Sequence, residues 1–198
     1  MRFLAAGAAT LTLPLCIAGG ACAQAAKDPD CVYMLGSVPR GAPTYSQFPA
    51  KPVAMRKPAA AIIAGRDART FRTRIREGAK RGPNFAGHYT LIHIGCGADC
   101  QMSVVVDALT GKVYFDPTIA TIWAGRVDSE ADARPAPGEF DVFSSHWRND
   151  SSLLIALGAP NEDLSRDGVG YYNWTGTRFV LVRQYAAKDI CHPRPDGH

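Results

Sequence analysis

The sequence has little net charge of either sign. Its 198 residues include 22 lysines and arginines and 18 aspartates and glutamates, for a formal net charge of +4. A dedicated nucleic-acid binder is usually strongly basic, so this balance argues against that class. Aromatic residues do not alternate with the arginines either, so a single strand would find no stacking platform. We therefore predict no nucleic-acid partner.

Three other patterns are missing. The sequence has no C-x-x-C motif, which argues against a thiol oxidoreductase. It has one close pair of cysteines, whereas structural zinc sites usually draw on two pairs. No internal repeat is visible, which argues against a propeller. We predict no cofactor.

The N-terminus has the pattern of an export signal. Met1 and Arg2 precede an uncharged, mostly apolar stretch over residues 3–20, and small residues alternate over 21–25. This arrangement predicts a secretory signal peptide, which we place at residues 1–23. Two alternatives are a membrane anchor, whose apolar stretch would only just reach spanning length, and lipidation of Cys22. We expect a periplasmic or secreted bacterial protein with no stable membrane span after cleavage.

Cleavage would leave four of the six cysteines. Four cysteines in an exported chain predict two disulfides, with three possible connectivities. Glycines flank Cys96 and allow a tight loop to Cys100. Cys31 and Cys191 then remain to join the two ends of the mature chain. We favour this pairing over the other two.

The rest of the chain divides into segments that differ in composition and in the spacing of apolar residues. Residues 24–65 are proline-rich without a period and predict an extended irregular leader. Residues 66–80 carry one apolar stripe at helical spacing and predict an amphipathic helix. After residue 86, short alternating runs joined by turns predict a mainly β (α+β) fold. It would be an antiparallel meander or sandwich-like sheet, in a single domain over 66–198. The predicted strands lie at 88–94, 102–107, 112–115, 118–123, 140–143, 152–157, 169–174 and 179–185.

Three segments of the chain form a distinctive pattern. They are Asn84-Phe85-Ala86-Gly87-His88-Tyr89, Gly95-Cys96-Gly97 with Cys100, and Asp107 with Thr110-Gly111-Lys112-Val113-Tyr114. This pattern resembles one that recurs in a family of uncharacterised exported bacterial proteins. The resemblance implies a shared exported β fold. It implies no activity and assigns no functional residue.

Basic residues are concentrated in one segment. Residues 51–81 hold ten lysines and arginines and two acidic residues, whereas the rest of the mature chain is net negative. Such a layout favours an anionic envelope polymer or an acidic envelope protein as partner. The alternative is a solvated helix face that pairs with the chain's own acidic loops. The candidate binding residues on the helix are Arg69, Arg72 and Arg76.

A second candidate surface is the cluster His146-Trp147-Arg148, between two predicted strands. Tryptophan and arginine on an exposed loop are typical anchors of a binding site. The alternative is that Trp147 covers the core.

A weaker candidate is a calcium loop at Asp163, Ser165 and Asp167, whose spacing matches the start of an EF-hand loop. Trp174 would occupy the position of the bidentate ligand, and Arg166 adds a positive charge. A polar hairpin loop is the alternative, and we predict no metal site.

We predict a binding or interaction module rather than an enzyme. The alternative function is an envelope hydrolase, whose site would be formed by His88, Asp107 and His146. An enzyme needs titratable groups that converge in a cleft within hydrogen-bond reach. The positions of these three side chains therefore test the alternative.

Overall fold

The computed structural model describes residues 31–128, 138–142 and 144–193. The predicted signal peptide, including Cys22, lies outside these residues. Within the described ranges, no helix has the length and apolar character needed to cross a membrane.

Strands dominate the described residues, which confirms the predicted mainly β class. Every predicted strand is present with shifted ends. Three more form in the described residues, one at 145–148, where we predicted a loop, and two short ones at 31–32 and 192–193. The strands are β1 (Cys31–Val32), β2 (Tyr89–Gly97), β3 (Cys100–Asp107), β4 (Val113–Tyr114), β5 (Thr121–Trp123), β6 (Glu139–Val142), β7 (Ser145–Arg148), β8 (Leu153–Pro160), β9 (Gly168–Trp174), β10 (Phe179–Ala186) and β11 (His192–Pro193). The helices are α1 (Gly65–Thr70), α2 (Arg72–Lys80) and α3 (Ala187–Ile190).

Nine of these strands form one curled antiparallel sheet. Its hydrogen-bonded order is β10-β9-β8-β5-β3-β2, with β4 beside β3 and the β6–β7 pair beside β8. Neighbours in sequence are mostly neighbours in the sheet, as in the predicted meander. The exception is β5, whose short pairing with the end of β8 joins β2–β5 to β6–β10. The two remaining strands, β1 and β11, pair with each other.

Apolar clusters occupy both faces of the sheet. Along β8, Leu154 and Ala156 belong to a central cluster shared with β2 and β3, whereas Leu153 and Leu157 belong to a second cluster on the opposite face. The alternation of side chains along a strand produces this division. All residues of β8 are buried, so the strand is covered on both faces.

The predicted helix at 66–80 is present but interrupted. Its backbone leaves helical geometry at Phe71 (φ −101°, ψ 16°), which separates α1 from α2. Ile75 and Ala79 are buried in a third cluster with residues of β2 and β3. A Cβ at Gly78 would collide with Ile92. Glycine at this position therefore lets α2 lie directly on β2.

The leader is irregular apart from β1 and two 3₁₀ turns, at Leu35–Ser37 and Tyr45–Gln47. Backbone hydrogen bonds join it to two turns of the sheet, from Val53 N–H to the Gly87 carbonyl and from Ile62 N–H to the Gly111 carbonyl. Both glycines have positive φ, and a Cβ at either would collide with leader backbone. The leader's close approach therefore depends on glycine at both positions.

Both favoured disulfides are present. Cys31 and Cys191, 160 residues apart in sequence, are bonded with their Cα atoms at 5.5 Å, beside the β1–β11 pair. Cys96 and Cys100 are bonded with their Cα atoms at 5.2 Å, at the tip of the β2–β3 hairpin. The first bond joins the two ends of the described chain, and the second closes a single turn.

Candidate binding site

A groove lies between α2 and leader residues 57–61. Its volume is about 490 Å³, which falls within the range of small-ligand sites. The walls are mostly apolar, and three long basic side chains contribute to them. The lining residues are Lys57, Pro58, Ala59, Ala60, Ala61, Arg76, Ala79 and Lys80.

Backbone hydrogen bonds hold the leader wall of the groove in place. Ala59 N–H donates to the Ala108 carbonyl at 2.7 Å, and Ile62 N–H donates to the Gly111 carbonyl at 2.8 Å. The alanines at 59–61 carry only a methyl group each, which is too short to fill the space beside the helix. The groove therefore follows from an alanine run that is fixed at both ends.

The helix wall adds charge to this apolar surface. Arg76 and Lys80 are four residues apart in α2, so they lie on one face of the helix. Ala79, between them in sequence, is buried at the base of the groove. Lys57 lines the groove from the leader side, so basic residues come from both walls.

The three groove cations have no carboxylate partner among the described residues. The salt bridges in these ranges join other groups, and no acidic residue lines the groove. Lys57, Arg76 and Lys80 are also exposed. Their positive potential is therefore available to an external anion.

Of the three arginines predicted to bind, only Arg76 lines the groove. Arg69 and Arg72 are exposed on either side of the helix break, where the Arg72 guanidinium donates to the Arg69 carbonyl at 3.3 Å. Sequence reasoning does not single out Lys57 or Lys80, although both lie in the predicted basic segment. The alanine run beside Lys57 is the signal that could have identified the groove.

The predicted exposed surface at His146-Trp147-Arg148 is wrong. These residues form β7, where the side chains of His146 and Trp147 are buried, at 3% and 2% exposure. The indole of Trp147 stacks on the Phe140 ring at 5.7 Å. Arg148 makes a double hydrogen bond to the Asp150 carboxylate, at 2.8 Å for each contact. The alternative interpretation, that Trp147 covers the core, is confirmed.

A half-buried histidine whose ring nitrogens are enclosed lies next to this tryptophan. The His93 ring is 4.9 Å from that of Trp147, and its Nδ1 is 3.3 Å from the Ser103 hydroxyl. Its Nε2 is buried and has no hydrogen-bond partner in the described part of the chain. Burial lowers the pKa of His93 to about 4, so the ring is neutral near pH 7.

The three side chains of the hydrolase hypothesis do not form a site. His88 Nε2 lies 3.9 Å from Asp107 Oδ1. The Asp107 carboxylate accepts hydrogen bonds from Leu109 N–H and the Thr110 hydroxyl, both at 2.8 Å, and so builds the turn after β3. His146 is buried in β7 and lies 3.9 Å from Glu139 of β6. A buried imidazole on another strand pair cannot meet a substrate held at His88.

The calcium candidate is also not assembled. Asp163 accepts hydrogen bonds from the backbone and hydroxyl of Ser165, and it caps a short 3₁₀ turn. Asp167 is buried, where it accepts a hydrogen bond from the Tyr33 hydroxyl and pairs with Arg126 at 3.3 Å. Across the described residues, no group of three or more histidine, cysteine or acidic side chains could hold a metal ion.

The Asp167 pair lies beside the cluster over β8 and β9 that contains Tyr33, whereas the groove lies beside the cluster over β2 and β3. Arg126 also donates to the Cys31 carbonyl at 3.1 Å, so the pair adjoins the long disulfide. Burial, reinforced by the Asp167 charge, raises the pKa of Tyr33. Asp167, Arg126 and Tyr33 thus interact with one another inside the protein.

No protein-family model, curated protein or solved structure matches this chain. The candidate site is therefore defined by its own geometry.

Proposed function

We propose that this protein is an exported binding module whose groove takes an anionic amphiphile, an aliphatic chain that carries a carboxylate or phosphate. The observation that carries the proposal is the position of three cations, without a carboxylate partner among the described residues, around an alanine-lined groove. The cations would attract the headgroup, and the alanines would cover part of the chain. A fully polar anion would leave the apolar wall in contact with water.

The predicted export of the protein supports this ligand class. A signal peptide at 1–23 would export the chain, and two disulfides suit an oxidising compartment. A periplasmic or secreted protein meets the anionic amphiphiles of the bacterial envelope. An anionic polymer or an acidic envelope protein could use the charge but would have less use for the alanine wall. The hydrolase alternative receives no support from the positions of His88, Asp107 and His146.

Calorimetric titration of the mature chain tests the ligand class. The probes are octyl phosphate, octanoate, octyl glucoside and inorganic phosphate, each below its micelle concentration. We expect both anionic amphiphiles to bind. The neutral glucoside lacks the charged headgroup and inorganic phosphate lacks the aliphatic chain, so each should bind at least about tenfold more weakly. Comparing octyl phosphate with octanoate identifies the preferred headgroup. Equal affinity for the glucoside would contradict the proposal.

Variants locate the binding in the groove. Arg76→Gln/Lys80→Gln removes two groove cations, and Arg72→Gln/Arg74→Gln removes the same charge from exposed positions outside it. We expect the first pair to weaken binding of the anionic amphiphiles about tenfold and the second to have little effect. Ala60→Phe should block the groove without a change of charge. If the two double variants weaken binding equally, the helix acts only as a basic surface, which would favour a polymer.

A further inference from the structure

An apolar edge strand lies far along the sheet from the groove. β10 is the last strand in the sheet order and pairs only with β9 among the described residues. Val180, Leu181 and Val182 are each 41–42% exposed, so three successive apolar residues face solvent on this strand. An exposed apolar edge with free backbone groups is a template for another strand.

Among the described residues, side chains protect the edge only at its beginning. Phe179 N–H donates to the Asp116 carboxylate at 2.7 Å, and the Phe179 carbonyl accepts from the Thr118 hydroxyl at 3.4 Å. These side chains occupy the backbone groups that point away from β9. Further along, at Leu181, no side chain of the described residues provides such a cap. The strand is therefore open from its apolar centre onward.

Arginines flank the open edge, and the Asp116 carboxylate at its beginning is occupied by Phe179 N–H. Arg178 and Arg183 flank the apolar triplet on either side and are exposed. A second groove of about 340 Å³ adjoins the strand, and no acidic residue lines it. Its lining residues are Gly41, Pro43, Gln47, Phe48, Val182 and Arg183. This charge favours an acidic partner, and it disfavours a second copy of the chain, which would bring four arginines to one seam.

We propose that the β10 edge binds an extended peptide segment, apolar at its centre and acidic at its ends, as an added strand of the sheet. Main-chain hydrogen bonds to the open part of β10 would supply affinity, and the flanking arginines would select the charge of the segment. The side chains at the centre of the peptide would pack on Val180, Leu181 and Val182. This surface is independent of the groove proposed above to bind an amphiphile.

Fluorescence anisotropy with synthetic peptides tests the proposal on the mature chain. The first probe alternates valine and threonine and carries two glutamates at each end, and the second replaces the glutamates with lysines. We expect the glutamate peptide to bind about tenfold more tightly, since each end meets an arginine. Equal affinity for the two peptides, or no binding of either, would overturn the proposal.

Three variants locate the binding. Leu181→Lys should reduce binding of the glutamate peptide about tenfold, whereas Leu109→Lys, at another exposed leucine, should not. Arg178→Glu/Arg183→Glu should reverse the preference toward the lysine peptide, a result that loss of folding cannot produce. Light scattering provides a further test. A dimer of the mature chain that the Leu181→Lys variant does not form would overturn the proposal in favour of pairing between two copies. Arg76→Gln/Lys80→Gln should leave peptide binding unchanged, so the two proposals fail separately.

Discussion

Two parts of the outer face of the curled sheet are covered in different ways. The disulfide-closed face lies over β8 and β9, where the leader and the C-terminal residues form a cover that the Cys31–Cys191 bond closes and that contains the pair of buried Asp167 and half-buried Arg126. Over β2 and β3, the cover is α1 and α2, whose basic side chains have no acidic partner among the described residues.

This difference separates stability from binding. On the disulfide-closed face, charged and polar groups satisfy one another inside the protein, so their removal should weaken the fold. On the helical face, the cations contribute little to the fold and remain available to a ligand. Three of the four predictions below test this division, and the one on His93 tests the interior beside Trp147.

The largest effect should come from the long disulfide. In the chain-entropy model, Cys31→Ser/Cys191→Ser should lower the free energy of unfolding by about 5 kcal/mol, because the bond closes a loop over a sequence separation of 160. Cys96→Ser/Cys100→Ser removes a bond that spans a sequence separation of only 4. This variant should lower the free energy of unfolding by about 2 kcal/mol. Unfolding in guanidinium chloride measures both losses. Equal losses would show that the long bond does not hold the cover in place.

The next effect concerns the ion pair of buried Asp167 and half-buried Arg126. Asp167→Ala should lower the free energy of unfolding by about 4 kcal/mol, because it leaves Arg126 without its partner and removes the acceptor of the Tyr33 hydroxyl. Urea unfolding checks this value. Asp189→Ala, at an exposed aspartate near the same face, is the control and should change stability by less than about 0.5 kcal/mol. A similar small loss for Asp167→Ala would contradict an internal role for the pair.

A pH-dependent effect should come from His93. Its pKa is about 4 when folded and about 6.5 when unfolded, so the unfolded chain binds the proton first as the pH falls. Above pH 6.5 the ring is neutral in both states and has no effect. As the pH falls from about 6.5 to about 4, proton binding to the unfolded chain should lower the free energy of unfolding by up to about 3 kcal/mol.

The comparison of the protein with His93→Gln isolates this contribution, since carboxylates also titrate in the same window. Unfolding curves at several pH values give the free energy of unfolding as a function of pH. Between about pH 6.5 and pH 4, this free energy should fall less steeply for the variant. An equal dependence of the free energy of unfolding on pH in the protein and the variant would contradict this prediction. It would mean that His93 takes up its proton equally well in the folded and the unfolded state.

The smallest effect should come from the groove cations. Arg76→Gln/Lys80→Gln should change the free energy of unfolding by less than about 0.5 kcal/mol, because neither side chain has a carboxylate partner in the described chain. Thermal unfolding measured together with octyl phosphate binding checks both parts of the division. A loss above about 1 kcal/mol would show that the helical face also depends on its charges.

Local patterns in the sequence predicted most of the fold. Alternation identified the strands, and the glycines around Cys96 favoured the pairing that the structure shows. β7 was not predicted, since polar residues beside Asn149 and Asp150 have the composition of a loop. Pairing with both β6 and β8 makes it a strand and buries Trp147. Tertiary contacts overrode the local pattern there.

The groove could not be predicted in the same way. It depends on the distance between the alanine run and α2, and that distance is set by hydrogen bonds to Ala108 and Gly111, from a turn far along the chain. The sequence identified the basic segment and Arg76, but not the partners of Arg76 across the groove. The resemblance to exported bacterial proteins stays a prediction.

The pairing of the first and last described residues has a consequence for the order of events in folding. Cys31 and Val32 precede their strand partners His192 and Pro193, and the thiol of Cys191, by about 160 residues in the chain. The sheet is composed mostly of local hairpins, whereas this pairing and this bond join residues that are far apart in sequence, so we expect them to form after the hairpins. A fragment that ends before Cys191 would therefore lack the bond and the strand pair that close the cover over β8 and β9.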